Sequence, residues 1–417
     1  MNGLRLSRLT LAIGLSVATT SALAGPQNFQ SARSFAMGGT GVAVAHPASA
    51  GFANPAMLAS DQHEWADDFG LIIPSVNARF ADEEETIDQI DDIQDTIDRA
   101  QAALDSLNAP AASATANELR QQLQDLNNDT VRVDAGLGLA LAFPMDAISV
   151  GVHTAGNIQA TVRGEYDSAD DAELAKVAAL DPTADLNNLQ SRARVLAASV
   201  AEVGISLAHA YQLNNGQSLQ IGVTPKYMQL MTYQYTESVS GFDDSDYDNS
   251  EFETDKSGFN LDLGAAMSFG ENGEWNAGVA IKNLIPMELD SAVSSDLSKQ
   301  ETQHTLEVDP RVTVGLAHSD EFHVITAELD LTEQKGFGYA DDTQWLAVGA
   351  EFDAWRYAQI RGGIRHNLAS NDDNNGIEED TQFTAGIGLN PFGARLDIAA
   401  LYSEADLGAA IEFGAAF

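Results

Sequence analysis

Two groups of side chains in this sequence are spaced for chemistry. Asp244, Asp246, Asp248 and Asp255 stand at relative positions one, three, five and twelve, the spacing of an oxygen-ligand loop for calcium, and Asn371, Asp373, Asn375 and Gly376 echo it. Asp255 replaces the bidentate Glu of such a loop, Asn249 replaces its turn glycine, and the flanks read as strands, so a solvated acidic loop is the competing reading. No other cofactor is expected. The second group is a ladder. Arg132, Asp134, Lys226, Asp262, Lys282, Glu307, Asp309, Arg311, Glu328, Asp330, Arg361, Arg365, Arg395, Asp397 and Glu412 all fall by parity on the face that also carries Gly and Ala, opposite the apolar one. Opposite charges on adjacent strands pair. Such a ladder predicts an interior filled by ion pairs, with a wide channel lined by mixed charge as the competitor.

Catalytic constellations are missing from the sequence. It has no G-x-S-x-G elbow and no H-E-x-x-H, and its eight histidines show no ligand-like pairing on a helix. Without cysteine there is no disulfide, thiol catalysis, Cys-ligated zinc or lipid on an amino-terminal Cys. An enzyme is not expected. With 62 Asp and Glu against 21 Lys and Arg, net −41, the chain repels polyanions, which excludes nucleic acid as a partner of a general basic surface.

The elements that must position the ladder are strands. In the last eleven residues Leu407, Ala409, Ile411, Phe413, Ala415 and Phe417 alternate with Gly408, Ala410, Glu412, Gly414 and Ala416. Such period two gives one greasy face and one that takes small groups and a carboxylate. Similar segments fall near 69–80, 131–143, 147–164, 198–212, 218–239, 257–269, 275–284, 305–318, 322–332, 344–353, 357–368, 381–390, 394–402 and 407–417. Short and long connections alternate between them. That pattern predicts a closed, all-β, antiparallel transmembrane barrel of about fourteen strands, with turns at one rim and long loops at the other. The last strand should pair with the first, and Phe413 and Phe417 read as the signal for the barrel-insertion machinery. Outer-membrane lipid and lipopolysaccharide are the expected neighbours.

Three stretches are not strand. Arg5 and Arg8, an apolar run at 9–20 and Ala22-Leu23-Ala24 read as a signal peptide over 1–24, directing Sec export to the outer membrane of a Gram-negative bacterium, with the mature chain starting at Gly25. Residues 25–68 are rich in Gly, Ala and Ser; Gly38, Gly39 and Gly41 suit close packing in a confined space, and Asn54-Pro55 suits a tight turn. The barrel proper is then 69–417. Within it, Ile87, Ile90, Ile93, Ile97, Leu104 and Leu107, followed by Leu119, Leu123 and Leu126, predict a helical hairpin inserted at 81–130. Its seam either closes on itself or meets an envelope protein. Helix is also expected at 169–179 and 184–196 in the insertion 165–197.

The words Ser31-Ala32-Arg33-Ser34-Phe35-Ala36-Met37-Gly38-Gly39-Thr40-Gly41 and Phe52-Ala53-Asn54-Pro55-Ala56-Met57-Leu58 resemble the amino-terminal region of outer-membrane proteins related to the long-chain fatty acid transporter FadL. Over 25–417 the chain resembles the barrel family of the conjugal transfer protein TraF. The resemblance implies fourteen strands around an inward-folded hatch containing Met37, Gly38, Gly39, Gly41, Asn54, Pro55 and Ala56, and passage of hydrophobic small molecules. The conjugation label implies an alternative, a non-transporting envelope component that meets partners through its helical loops.

Overall fold

The structure is a computed structural model that describes residues 29–60, 70–213, 217–240, 250–354, 357–371, 377 and 379–416. The expected leader, Phe69, Asp244, Asp246, Asp248, Asp373, Asn375, Gly376 and Phe417 lie outside the described residues.

The period-two segments form β1 (Gly70–Ala81), β2 (Thr130–Phe143), β3 (Ser149–Glu165), β4 (Arg192–Gln212), β5 (Ser218–Ser238), β6 (Glu253–Phe269) and β7 (Trp275–Lys282). A separate hairpin, β8 (Met287–Asp290) and β9 (Thr305–Val308), follows. Then come β10 (Arg311–Ser319), β11 (His323–Asp330), β12 (Trp345–Ala354), β13 (Ala358–Asn367), β14 (Thr381–Leu389), β15 (Ala394–Tyr402) and β16 (Asp406–Ala416). Leaving β8 and β9 aside, each strand pairs antiparallel with its predecessor, and β16 returns to β1 with Val76 opposite Ile411 and Arg79 opposite Gly408. The fourteen-stranded barrel is closed. Pro74 has no N–H to give the ladder, and β1 shifts register on both sides between Ile72 and Ser75.

Parity sets the two faces. Ile411 and Phe413 are 37% and 47% exposed, while Glu412 between them is 2% exposed. The same outward series includes Val76 on β1, Leu139 on β2, Val203 and Ile205 on β4, Ile325 on β11 and Ile360 on β13. An apolar band carried round a barrel is a surface for hydrocarbon, not water. Tyr211, Trp275, Phe322, Tyr357 and Phe392 are exposed at the short-turn rim, the level of a lipid interface.

The long loops carry α2 (Thr86–Asp105), α3 (Ala109–Asp125) and α4 (Asp170–Ala178), after the short lumenal α1 (Ala32–Ala36). Asn108 caps α3 by accepting the Ala111 N–H, with Pro110 in the first turn. Ile93, Ala100, Leu119 and Leu123 are buried in one cluster with Leu174 and Val177 of α4, so the hairpin's seam closes on its own neighbours.

Two boundaries differ from expectation. The stretch 184–196 is not helix: one short turn, Leu186–Asn188, is followed by β4 from Arg192, because Arg192 and Arg194 pair across to β3 and β5. The expected strand 305–318 is split at Asp309-Pro310, where the missing N–H ends pairing. Glu307 therefore belongs to the β8–β9 hairpin, opposite Glu288, and neither it nor Asp309 lies in a barrel strand. Asp255 stands inside β6, opposite Met231, and is not a loop residue.

Candidate functional site

Residues 29–60 fill the lumen, and their local structure follows from their caps. Ser31 accepts the Ser34 N–H to start α1. Gly38 and Gly39 turn the chain sharply with φ of 72° and 86°, where a side chain would be strained. His46 and Asn54 each accept the N–H two residues on, with Pro47 and Pro55 at the first position of the 3-10 turns Pro47–Phe52 and Pro55–Ala59. Caps and prolines thus shape a segment with almost no regular backbone ladder of its own.

Polar groups from many strands hold it. One carboxylate oxygen of Glu328 on β11 accepts three consecutive amides, from Gly41 (2.9 Å), Val42 (2.6 Å) and Ala43 (3.3 Å). Arg33 forks onto both oxygens of Glu351 on β12, at 2.9 and 3.1 Å, and donates to the Val44 carbonyl. The Ala32 amide meets Ser75 on β1 and Glu412 on β16. Lys282 and Asn276 on β7 donate to the carbonyls of Phe52 and Ala43. Thr384 on β14 accepts from Gly38 N–H and donates to Ala36. Buried polar groups need such partners.

Close packing completes the seat. A methyl group on Gly264 of β6 would stand 2.0 Å from Oδ1 of Asn54, one on Gly222 of β5 would stand 2.3 Å from Pro55, and one on Gly363 of β13 would stand 2.2 Å from the Gly38 nitrogen. Between segment and wall is a cavity of about 60 Å³, lined in part by Arg33, Lys282, Arg311, Glu328, Phe29 and Phe52. It has room for a few waters and no apolar solute.

Other lumenal charges gather into paired groups. Near the long-loop rim Arg132 pairs with Glu379 (2.8 Å), Asp406 (2.6 Å) and Asp134 (3.0 Å), and Arg79 pairs with Glu379 and Asp406. Arg365 donates to Gln382 and stacks its guanidinium 4.3 Å from the Trp345 ring. Lower down, Lys226 bridges Glu202 (2.7 Å) and Asp262 (2.9 Å). Arg361 joins Glu351 to Asp397, and Asp397 also takes Arg395. Arg311 forks onto Asp330. Buried pairs like these add little net stability, but removing one partner strands the other.

Of the residues singled out by sequence, Arg132, Asp134, Lys226, Asp262, Lys282, Arg311, Glu328, Arg361, Arg365, Arg395, Asp397 and Glu412 all face inward, and Met37, Gly38, Gly39, Gly41, Asn54, Pro55 and Ala56 lie in the lumenal segment. Strand parity missed Glu379 and the pivot Asp406, expected in loops. Arg79, Glu202 and Glu351 follow the same inward parity on β1, β4 and β12. Arg33 had its own signal: it is the sole Lys or Arg between Arg8 and Arg79.

The fold and this site define a fourteen-stranded transmembrane barrel whose amino-terminal segment occupies its own lumen. The model of the family described as F plasmid transfer operon, TraF, protein matches residues 51–330, more than half of the chain, and the protein belongs to that family. No curated protein matches it. Among solved structures it is similar to the Ralstonia pickettii toluene transporter TbuX (13% identity, 94% of this chain and 98% of that one, TM-score 0.52). It is similar also to the Pseudomonas putida toluene transporter TodX (11% identity, 95% and 100%, TM-score 0.50). A third likeness is to the CymD monoaromatic hydrocarbon channel (12% identity, 93% and 97%, TM-score 0.50). At these identities the likeness establishes the fold.

Proposed function

We propose that this barrel passes small apolar molecules across the outer membrane, and that residues 25–68 act as its hatch. The observation that carries the reading is the seat of residues 29–60. The segment blocks the lumen yet is held to the wall by side-chain hydrogen bonds and ion pairs at separate points, with no sheet ladder to the wall. A strand laced into the sheet by a continuous ladder could not leave in that way. The toluene transporters of like fold support the substrate class. Export through the Sec pathway after removal of 1–24, insertion directed by Phe413 and Phe417, and lipopolysaccharide against the outer band belong to the same reading.

The test is deletion of residues 29–60 in cells, with barrel folding checked by heat-modifiable migration. Toluene uptake and ion conductance should both rise. Unchanged uptake in a folded, hatchless barrel would overturn the assignment.

A second reading, contact with an envelope protein through the 81–130 hairpin, draws on Leu107, 76% exposed at the hairpin tip. The buried seam is not available to it. Replacing 86–125 by a short turn, with mating and co-purifying proteins unchanged, removes this reading.

A further inference from the structure

The hairpin β8–β9 lies inside the barrel mouth. Along β4 the inward positions begin with Arg192 and Arg194 and reach Glu202, which bonds Lys226 of β5. Between these charged layers the inward wall carries an apolar patch, Leu196, Ala198 and Val200 on β4 with Met228 and Leu230 on β5, Val200 directly opposite Leu230, bordered by Thr232 and Gln234 of β5. Elsewhere the apolar residues of the same face, such as Ile72 and Leu401, are covered by the lumenal segment through Phe29, Phe52 and Phe35. Lumenal walls are polar where they meet water, so an apolar patch there needs a cover.

Its cover is Met287, Leu306 and Val308, one apolar face of the hairpin, with Phe337 from the β11–β12 loop closing the side. Four of these five wall residues, Leu196, Ala198, Met228 and Leu230, are at most 1% exposed beneath it. Four of the hairpin's polar ties run from wall side chains to its carbonyls, Thr254 to Asp290 (2.6 Å), Lys256 to Glu288 (2.8 Å), Gln234 to Thr302 (3.1 Å) and Arg192 to Ser298 (3.2 Å), and its Ser291 hydroxyl donates to Gln234 Oε1 (2.8 Å). At the mouth these are contacts that water can exchange. The apolar contact is the one that water cannot replace.

We propose that the inner patch on β4–β5 is a binding site for an uncharged apolar small molecule, and that Met287, Leu306 and Val308 occupy the ligand's place until it arrives. This rests on the reading that apolar molecules traverse the barrel. It places their first stop above the hatch, between two layers of charge that disfavour ions. A ligand must displace the hairpin, so its apparent affinity is reduced by the fraction of time the patch is covered.

The experiment is a toluene titration of the full chain in nanodiscs with methyl-13C methionine. Met228 and Met287 report the site, Met57 reports the lumenal segment, and Met267, on the outward parity of β6 between Leu219 and Ala277, reports toluene dissolved in lipid. Met228 and Met287 should shift saturably while Met267 shifts only in proportion to toluene. Replacing 286–309 by a short Gly-Ser connection should tighten binding at Met228 by about tenfold or more. Adding Leu230→Glu should abolish it. If the shortened barrel does not fold, Leu306→Asp in the full chain frees the patch in its place. No saturable shift at Met228, or an affinity indifferent to the hairpin, would overturn the proposal. Binding is read without passage, so failed uptake with saturable Met228 shifts would sink the transport reading and leave the site.

Discussion

Glu328 stands 2.6 Å from the amide nitrogen of Val42, with the amides of Gly41 and Ala43 on the same carboxylate oxygen. Three N–H groups converge on one carboxylate oxygen and join a single side chain of β11 to three consecutive backbone amides of the lumenal segment. Glu328→Ala should loosen the segment at that point, at a cost of about 1.5–3 kcal/mol for each charge-assisted bond lost in full. Planar-bilayer recording should show a raised and noisier conductance. Glu328→Gln, which keeps an acceptor oxygen, should fall between.

The glycine seat gives a prediction with its own control. Gly264→Val puts carbon into the space of Asn54 Oδ1, so it should break the cap on Ala56 and expose residues 54–60 to added protease. Gly362→Ala, whose methyl would meet only the Thr384 carbonyl at 3.8 Å, should be tolerated. Equal protease resistance in both variants would contradict the packing described.

The helical cap should melt apart from the barrel. Leu119 is fully buried among Ile93, Leu123 and Leu174. Leu119→Ala should cost about 2–5 kcal/mol there. Circular dichroism should show the helical signal lost at lower temperature, with heat-modifiable migration of the barrel unchanged.

Acid should open one end of that cap. Glu173 is held below the usual carboxylate range by the hydrogen bond from Lys176 and then by the Asp185 amide, each at 2.7 Å. A depressed folded value means the contact is fully present above the unfolded pKa of about 4.3 and is lost as pH falls through the folded value. The Asp185 amide should lose hydrogen-exchange protection in that window, relative to the protection of neighbouring amides. Glu173→Gln should remove the pH dependence.

The barrel was legible because period two survives even when one face carries Gly and charge, as in Val131 to Phe143. The lumenal ladder followed from parity alone. What parity misses is a partner at or beyond a strand's end: Asp406 opens β16, one residue ahead of the segment that reads as strand, and Glu379 precedes β14, yet both serve Arg79 and Arg132. Nor can it see that a run such as 192–197 is captured by pairing. There Leu196 reads equally as helix or strand until β5 is beside it. The β8–β9 hairpin was hidden for the same reason, since Leu306 and Val308 continue the alternation of β10 up to Pro310.

The Ala32 amide touches Ser75 on the first strand and Glu412 on the last, the second of these across 380 positions of sequence. Both partners exist together only when β16 has met β1. The amino-terminal segment is thus in place on the inner side of a seam that the final strand draws shut, and its seat is finished by the contact of longest sequence separation, the slowest kind to form. The seat of the segment is complete only once the wall is closed.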